Sequence, residues 1–85
     1  MKIKNEYSII PQNDGYVVCL NGTPLEKTLF LNKTAAFLWG LLKKEDLLTS
    51  QLLDAVLKEF EISTVLALGE IDTFLKIIKE NGIIE

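Results

Sequence analysis

Residues 28–42, TLFLNKTAAFLWGLL, change hydrophobic period in the middle, and that change constrains everything around them. Thr28, Leu29, Phe30 and Leu31 form a short apolar run with a β-branched residue and an aromatic, the composition of a strand. Asn32 interrupts the run. Its side-chain oxygen can accept from a backbone N–H two or three residues further on, which is how asparagine opens a helix. From Lys33 the spacing is helical, with Ala35, Leu38, Trp39 and Leu42 on one face. The chain before Asn32 reads as strands, and the chain after it as helices.

Residues 7–11 (YSIIP) read as a first strand and 16–20 (YVVCL) as a second, joined through Asn13, Asp14 and Gly15. That turn chemistry predicts a hairpin with Gly15 at positive φ. Pro11 has no N–H to donate and belongs at a strand end or an edge. Asn21, Gly22, Thr23 and Pro24 make the next turn, leading through Leu25, Glu26 and Lys27 to a third strand at 28–31. Three short strands in series suggest an antiparallel meander. In the second strand Val17 and Cys19 face one way, and Tyr16, Val18 and Leu20 the other. The lone Cys19 reads as a small packed hydrophobe, because the chain has no histidine to activate it.

The first helix is expected over 33–44, with Lys43 and Lys44 suited to its negative end. Phe37 and Leu41 point away from the main stripe, so this helix should be packed on several sides. Trp39, among leucines at helical spacing, reads as core. Gly40 costs about 1 kcal/mol relative to alanine inside a helix, and close approach by another backbone is one reason to accept it. A second helix is expected over 50–60, capped by Thr49 or Ser50, with Leu53, Val56, Leu57 and Phe60 as its stripe and Leu52 at the flank. A third runs over 64–81, capped by Ser63 or Thr64, and ends at Asn81-Gly82, where glycine supplies positive φ. The triplets Asn21-Gly22-Thr23 and Asn32-Lys33-Thr34 match the glycosylation pattern but read more simply as turn and cap residues.

Eighty-five residues make one small domain, 1–85, with 48% hydrophobic and 25% charged content, which should fold. No apolar run approaches the roughly 20 residues that span a bilayer, and no signal peptide opens the chain, so a cytoplasmic location is expected. Histidine and arginine are absent and there is one cysteine. An internal disulfide and a standard zinc site are thereby excluded, and the commonest general base is missing. The expectation is no catalysis and no cofactor. A net charge of −3 argues against a nucleic-acid partner.

The third helix carries an apolar surplus. At about 100° per residue, Leu68, Ile71, Leu75 and Ile78 fall in one arc able to serve the core. Phe74 lies about 60° to one side of Ile71 on the same scale, with Ile77 and Leu66 further round and Glu70 among them. Two readings stay open for this flank. It packs under the strands or another helix, or it lines a groove beside the third strand. If residues 27–31 form the exposed edge, their unpaired backbone groups can accept an added strand whose side chains enter the groove. Glu70, Lys27 and Lys76 would then read charges on the peptide.

The segment Leu31-Asn32-Lys33-Thr34-Ala35-Ala36-Phe37-Leu38-Trp39-Gly40-Leu41-Leu42 resembles the Leu-Asn-x-Thr-(small)-x-x-(apolar)-Trp-x-Leu-Leu segment of the PqqD family. Glu70-Ile71-Asp72-Thr73-Phe74-Leu75 is similar to its Asp-Val-x-x-Phe-Leu segment, and Asn81-Gly82-Ile83-Ile84 to its Gly-Leu-(apolar) close. The departures are Lys43-Lys44-Glu45-Asp46 in place of an Asp-Gly turn, Glu70 in place of aspartate, and Gly69 inside helix three. This family comprises the RiPP recognition elements, peptide-binding domains of pathways that make ribosomally synthesised, modified peptides. The resemblance implies an α+β, winged-helix-like fold: a three-stranded antiparallel sheet followed by a three-helix bundle. It also implies a non-catalytic module that binds the leader segment of a precursor peptide as an added strand. The module would present that segment to a modifying enzyme, such as a radical S-adenosylmethionine enzyme, or to a leader peptidase. Carried over by position, the peptide-facing residues are Lys27, Thr28, Leu29 and Phe30 of strand three and Leu66, Glu70, Phe74 and Ile77 of helix three.

Two other classes compete. A winged-helix DNA-binding protein would use helix three for recognition, but that helix offers only Lys76 and Lys79 against Glu70, Asp72 and Glu80. A structural subunit of a larger complex would also bury an apolar flank.

Overall fold

A computed structural model describes residues 1–85. Four short strands precede three helices: β1 (Tyr7–Gln12), β2 (Gly15–Leu20), β3 (Thr23–Pro24), β4 (Phe30–Leu31), α1 (Lys33–Lys44), α2 (Thr49–Glu59) and α3 (Thr64–Glu80). The fold is α+β. All pairings are antiparallel and β2 is central, with β1 along one side and both β3 and β4 along the other.

The hairpins follow local chemistry. Asn21 (φ 51°) and Gly22 (φ 82°) both take positive φ between Leu20 and its partner Thr23, as a tight primed turn requires. At the first hairpin Asn13 (φ 56°), not Gly15, adopts the left-handed conformation. Gly15 answers to a close approach instead. A Cβ there would lie 2.6 Å from the Leu31 carbonyl oxygen and 2.7 Å from Cζ of the Phe30 ring.

The third strand, expected over 28–31, is split. Val18 donates its N–H to Leu29 O (3.1 Å), but its carbonyl accepts from Leu25 N (3.2 Å), so residues 26–28 loop out between the two contacts. Pairing resumes as Tyr16 with Leu31 and Val17 with Phe30. The expected strand is thereby shortened to β4, and Thr23 and Pro24, read as part of a turn, form the separate β3.

One face of the sheet and the three helices share a core. Val18 and Leu31 meet Leu38, Trp39 and Leu42 of α1, Leu52 and Val56 of α2, and Ile71, Phe74 and Ile78 of α3. Ile3, bridged to Ile84, and Ile83 close its lower end. Val17 and Cys19 are buried on the other face of the sheet, outside that cluster. In α2 the inward residues are Leu52 and Val56, while Leu57 is exposed and Leu53 and Phe60 are half-buried. The expected stripe is therefore rotated toward Leu52, and the ring of Phe60 meets Phe37 edge-on at 5.4 Å.

Caps define the helix starts. Asn32 Oδ1 accepts from Ala35 N (2.9 Å) at α1, and Ser63 Oγ from Leu66 N (3.2 Å) at α3. Neither Thr49 nor Ser50 caps α2. Leu48 occupies that position without a side-chain acceptor, and its N–H donates to Gln51 Oε1 at 2.8 Å. Lys43 reaches from the end of α1 to donate to the carbonyls of Lys4, Asn5 and Tyr7, tying the entry of β1 to the bundle.

No backbone crowds Gly40, contrary to the reason offered for it, since a Cβ there meets nothing within 4 Å. Gly40→Ala should therefore raise stability by about 1 kcal/mol. Thermal denaturation should show an increase of roughly 4–8 °C.

Candidate functional site

The register of the broken strand decides which backbone groups are free. Because Val18 N–H bonds Leu29 O, antiparallel alternation points the N–H and C=O of Leu31 toward β2 and those of Phe30 away from it. β4 carries no further partner on that outer side. Phe30 thus presents one donor and one acceptor at an open edge, with its side chain 51% exposed.

Beneath that edge lies a pocket of about 90 Å³ between β4, the first turn of α1 and α3. Phe30, Leu31, Asn32 and Ala35 form one wall. Glu70, Thr73, Phe74 and Ile77 form the other, at i, i+3, i+4 and i+7 along one flank of α3. Sites for drug-sized ligands occupy roughly 300–1,000 Å³. This one has room for a single side chain.

Four of the eight sequence-predicted residues, Phe30, Glu70, Phe74 and Ile77, meet in this pocket. The other four do not. Lys27 and Thr28 lie exposed on the looped-out segment, and Leu29 turns inward against the core. Leu66, one turn before Glu70, is 61% exposed and lies beyond the pocket. Phe74 belongs to core and pocket at once: it is 1% exposed and forms the floor. On the core stripe of α3, Leu68 is 40% exposed, and the small Ala67 is buried in the core. Lys76 is exposed and lies outside the pocket.

Sequence reasoning misses Leu31, Asn32, Ala35 and Thr73 as pocket residues. It marks Asn32 only as a cap, yet the carboxamide serves two elements. The oxygen holds the first turn of α1, and Nδ2 donates to Glu70 Oε2 of α3 in a long 3.4 Å bond. The capping motif carries the first signal. The second needs the tertiary fold.

A larger cleft of about 480 Å³ opens on the other side of α1's first turn. Ile9, Tyr16, Ala36, Phe37 and Phe60 line it, with Lys33 and Glu59 at its sides. No sequence signal points there. No group of three or more His, Cys, Asp or Glu side chains is placed to hold a metal ion. No helix is long and apolar enough to cross a membrane.

Two substitutions should separate the pocket's structural parts. Asn32→Ala removes the α1 cap and should cost about 1 kcal/mol in chemical denaturation. Asn32→Asp keeps a capping oxygen but sets a carboxylate against Glu70, so it should recover most of that loss in high salt only. Phe74→Ala should cost about 3–5 kcal/mol, as expected of a core ring.

The chain matches the family described as coenzyme PQQ synthesis protein D (PqqD) over residues 15–84. No curated protein matches it. Among solved structures it is similar to TbiB1 in complex with the TbiA(beta) leader peptide, with a TM-score of 0.71 and 20% identity. That alignment covers 100% of this chain and 95% of the other. The family match takes in the second strand of the hairpin, the broken edge strand and all three helices. On that extent, this chain belongs to the PqqD family.

Proposed function

We propose that this protein is a non-catalytic recognition module that captures the leader segment of a ribosomally synthesised precursor peptide. The leader adds as a strand along β4, hydrogen-bonded to Phe30, and sets one side chain into the pocket against Phe74 and Ile77. The observation that carries the reading is the outward N–H and C=O of Phe30, a residue that itself lines a one-residue, mostly apolar pocket. Strand addition of this kind draws affinity from backbone bonds and selectivity from alternate side-chain pockets. The similarity to a structure containing a leader peptide supports the same reading. The sequence holds no histidine, the commonest general base.

The bound leader is then presented to a modifying enzyme or a leader peptidase. Presentation requires a second surface. Val65, 79% exposed, and Leu48, 67% exposed, lie outside the pocket and are available for one. The same exposed residues favour the runner-up reading, a structural subunit of a larger complex.

A pair of variants tests strand addition. Phe30→Pro deletes the outward N–H without breaking a bond to β2, and proline is tolerated at such an edge. Leader peptides from precursor genes beside its own should bind this variant about tenfold or more weakly, while circular dichroism stays unchanged. Phe30→Ala retains the donor and should lose less. Wild-type affinity in the proline variant would overturn the reading. Leu66→Glu should leave the exposed surface folded, whereas Phe74→Glu should unfold the domain by burying a charge. Effects of Phe74→Glu on binding are therefore uninformative, and those of Leu66→Glu report how far the groove extends.

A further inference from the structure

The pocket has one charged wall residue, Glu70, and no ion pair within the protein engages it. Its hydrogen-bond partner is the Asn32 amide at 3.4 Å. The one ion pair in the chain joins the Met1 ammonium to Asp46, so no lysine lies within 4 Å of Glu70. Along the flank of α3 that faces β4, its companions Thr73, Phe74 and Ile77 are uncharged. A carboxylate offers about four acceptor positions, of which this half-buried one uses one weakly. The donor is itself fixed, because the Asn32 oxygen is committed to Ala35 N. The acceptor is thereby held in place and left largely unfilled.

Spacing then limits which peptide residue can reach it. Glu70 and Phe74 are four residues apart on α3, a rise of about 6.0 Å. Side chains on the same face of an extended peptide recur every two residues, about 6.6–6.8 Å. A peptide strand that runs along α3 and places one side chain over Phe74 brings the residue two positions away over Glu70. An aliphatic side chain suits the 90 Å³ pocket, and a cation suits the carboxylate.

We propose that Glu70 selects a lysine or arginine two positions from an aliphatic residue in the peptide that pairs with β4. This rests on the recognition-module reading. It narrows the ligand to an alternating aliphatic–x–basic pattern, in one chain direction or the other. An acidic residue at the same place is rejected, because it would face an unpaired carboxylate at close range.

The test uses a random-peptide display library panned against the folded wild-type domain, the Glu70→Lys variant and the Phe30→Pro variant. Wild type should enrich lysine or arginine two positions from Ala, Val, Leu or Ile. Glu70→Lys should replace that enrichment with aspartate or glutamate at the same place. For one selected peptide, exchanging the basic residue for glutamate should weaken wild-type binding about tenfold or more and strengthen Glu70→Lys binding. Circular dichroism checks the variants, and Glu70→Gln, which should abolish the basic preference without reversing it, stands in if the lysine variant is unfolded. Binders that are lost on Phe30→Pro but show no basic enrichment would overturn this inference and leave the recognition reading standing. An enrichment that Glu70→Lys leaves unchanged would do the same. Failure to find any binder sensitive to Phe30→Pro would overturn both.

Discussion

A single carboxamide joins the parts of this protein that form its site. Asn32 ends the edge strand, caps α1 through its oxygen and reaches α3 through its nitrogen. The capping bond alone is worth only about 1 kcal/mol. Its importance is geometric. It fixes the first turn of α1 at the end of the edge strand, where Ala35, Leu38, Trp39 and Leu42 face the core and Phe30, one residue before Leu31, faces out. The flank of α3 from Glu70 to Ile77 forms the facing wall of the pocket. The sheet edge and α3, joined by the shared core, are also linked by a residue that belongs to neither.

The core explains why a domain this small can leave an edge open. Fifteen buried residues drawn from the sheet, all three helices and both terminal segments form one cluster. No buried side-chain nitrogen or oxygen lacks a hydrogen-bond partner. Phe74 sits at the boundary of that cluster, so the pocket floor is as rigid as the core itself. The other wall is different. Phe30 is half exposed, and residues 26–28 loop out beside it. A firm helix facing a free strand edge suits capture of an extended peptide, because the apolar surface is already shaped and only the peptide must be ordered.

Much of this arrangement was legible in the sequence. The change of period at Asn32, the caps at Asn32 and Ser63, and the Asn81-Gly82 ending all mark helix boundaries through local chemistry. Periodicity also put Glu70, Phe74 and Ile77 on one flank of α3. What was not legible depends on contacts between distant residues. The break in the third strand arises because the Val18 carbonyl bonds Leu25 and not Leu29, a choice no local propensity encodes. For that reason Lys27, Thr28 and Leu29 were expected at the site and lie outside its pocket. The rotation of α2 toward Leu52 comes from packing, since Leu52 and Leu53 are chemically alike. Gly15 was read by its backbone freedom, whereas its small size matters because Phe30, on a different strand, crosses it. The cleft beside Phe37 and Phe60 needs four elements to meet and leaves no motif.

The central claim is that a peptide bonds to the backbone of Phe30. Amide hydrogen exchange at Phe30, monitored by NMR with and without a leader peptide, tests this most directly. In the free protein this outward N–H should exchange quickly. With saturating leader peptide it should become protected, while the neighbouring Leu31, already bonded toward β2, changes little. A peptide that binds tightly yet leaves Phe30 exchanging at its free rate would contradict strand addition, and would move the site away from this edge.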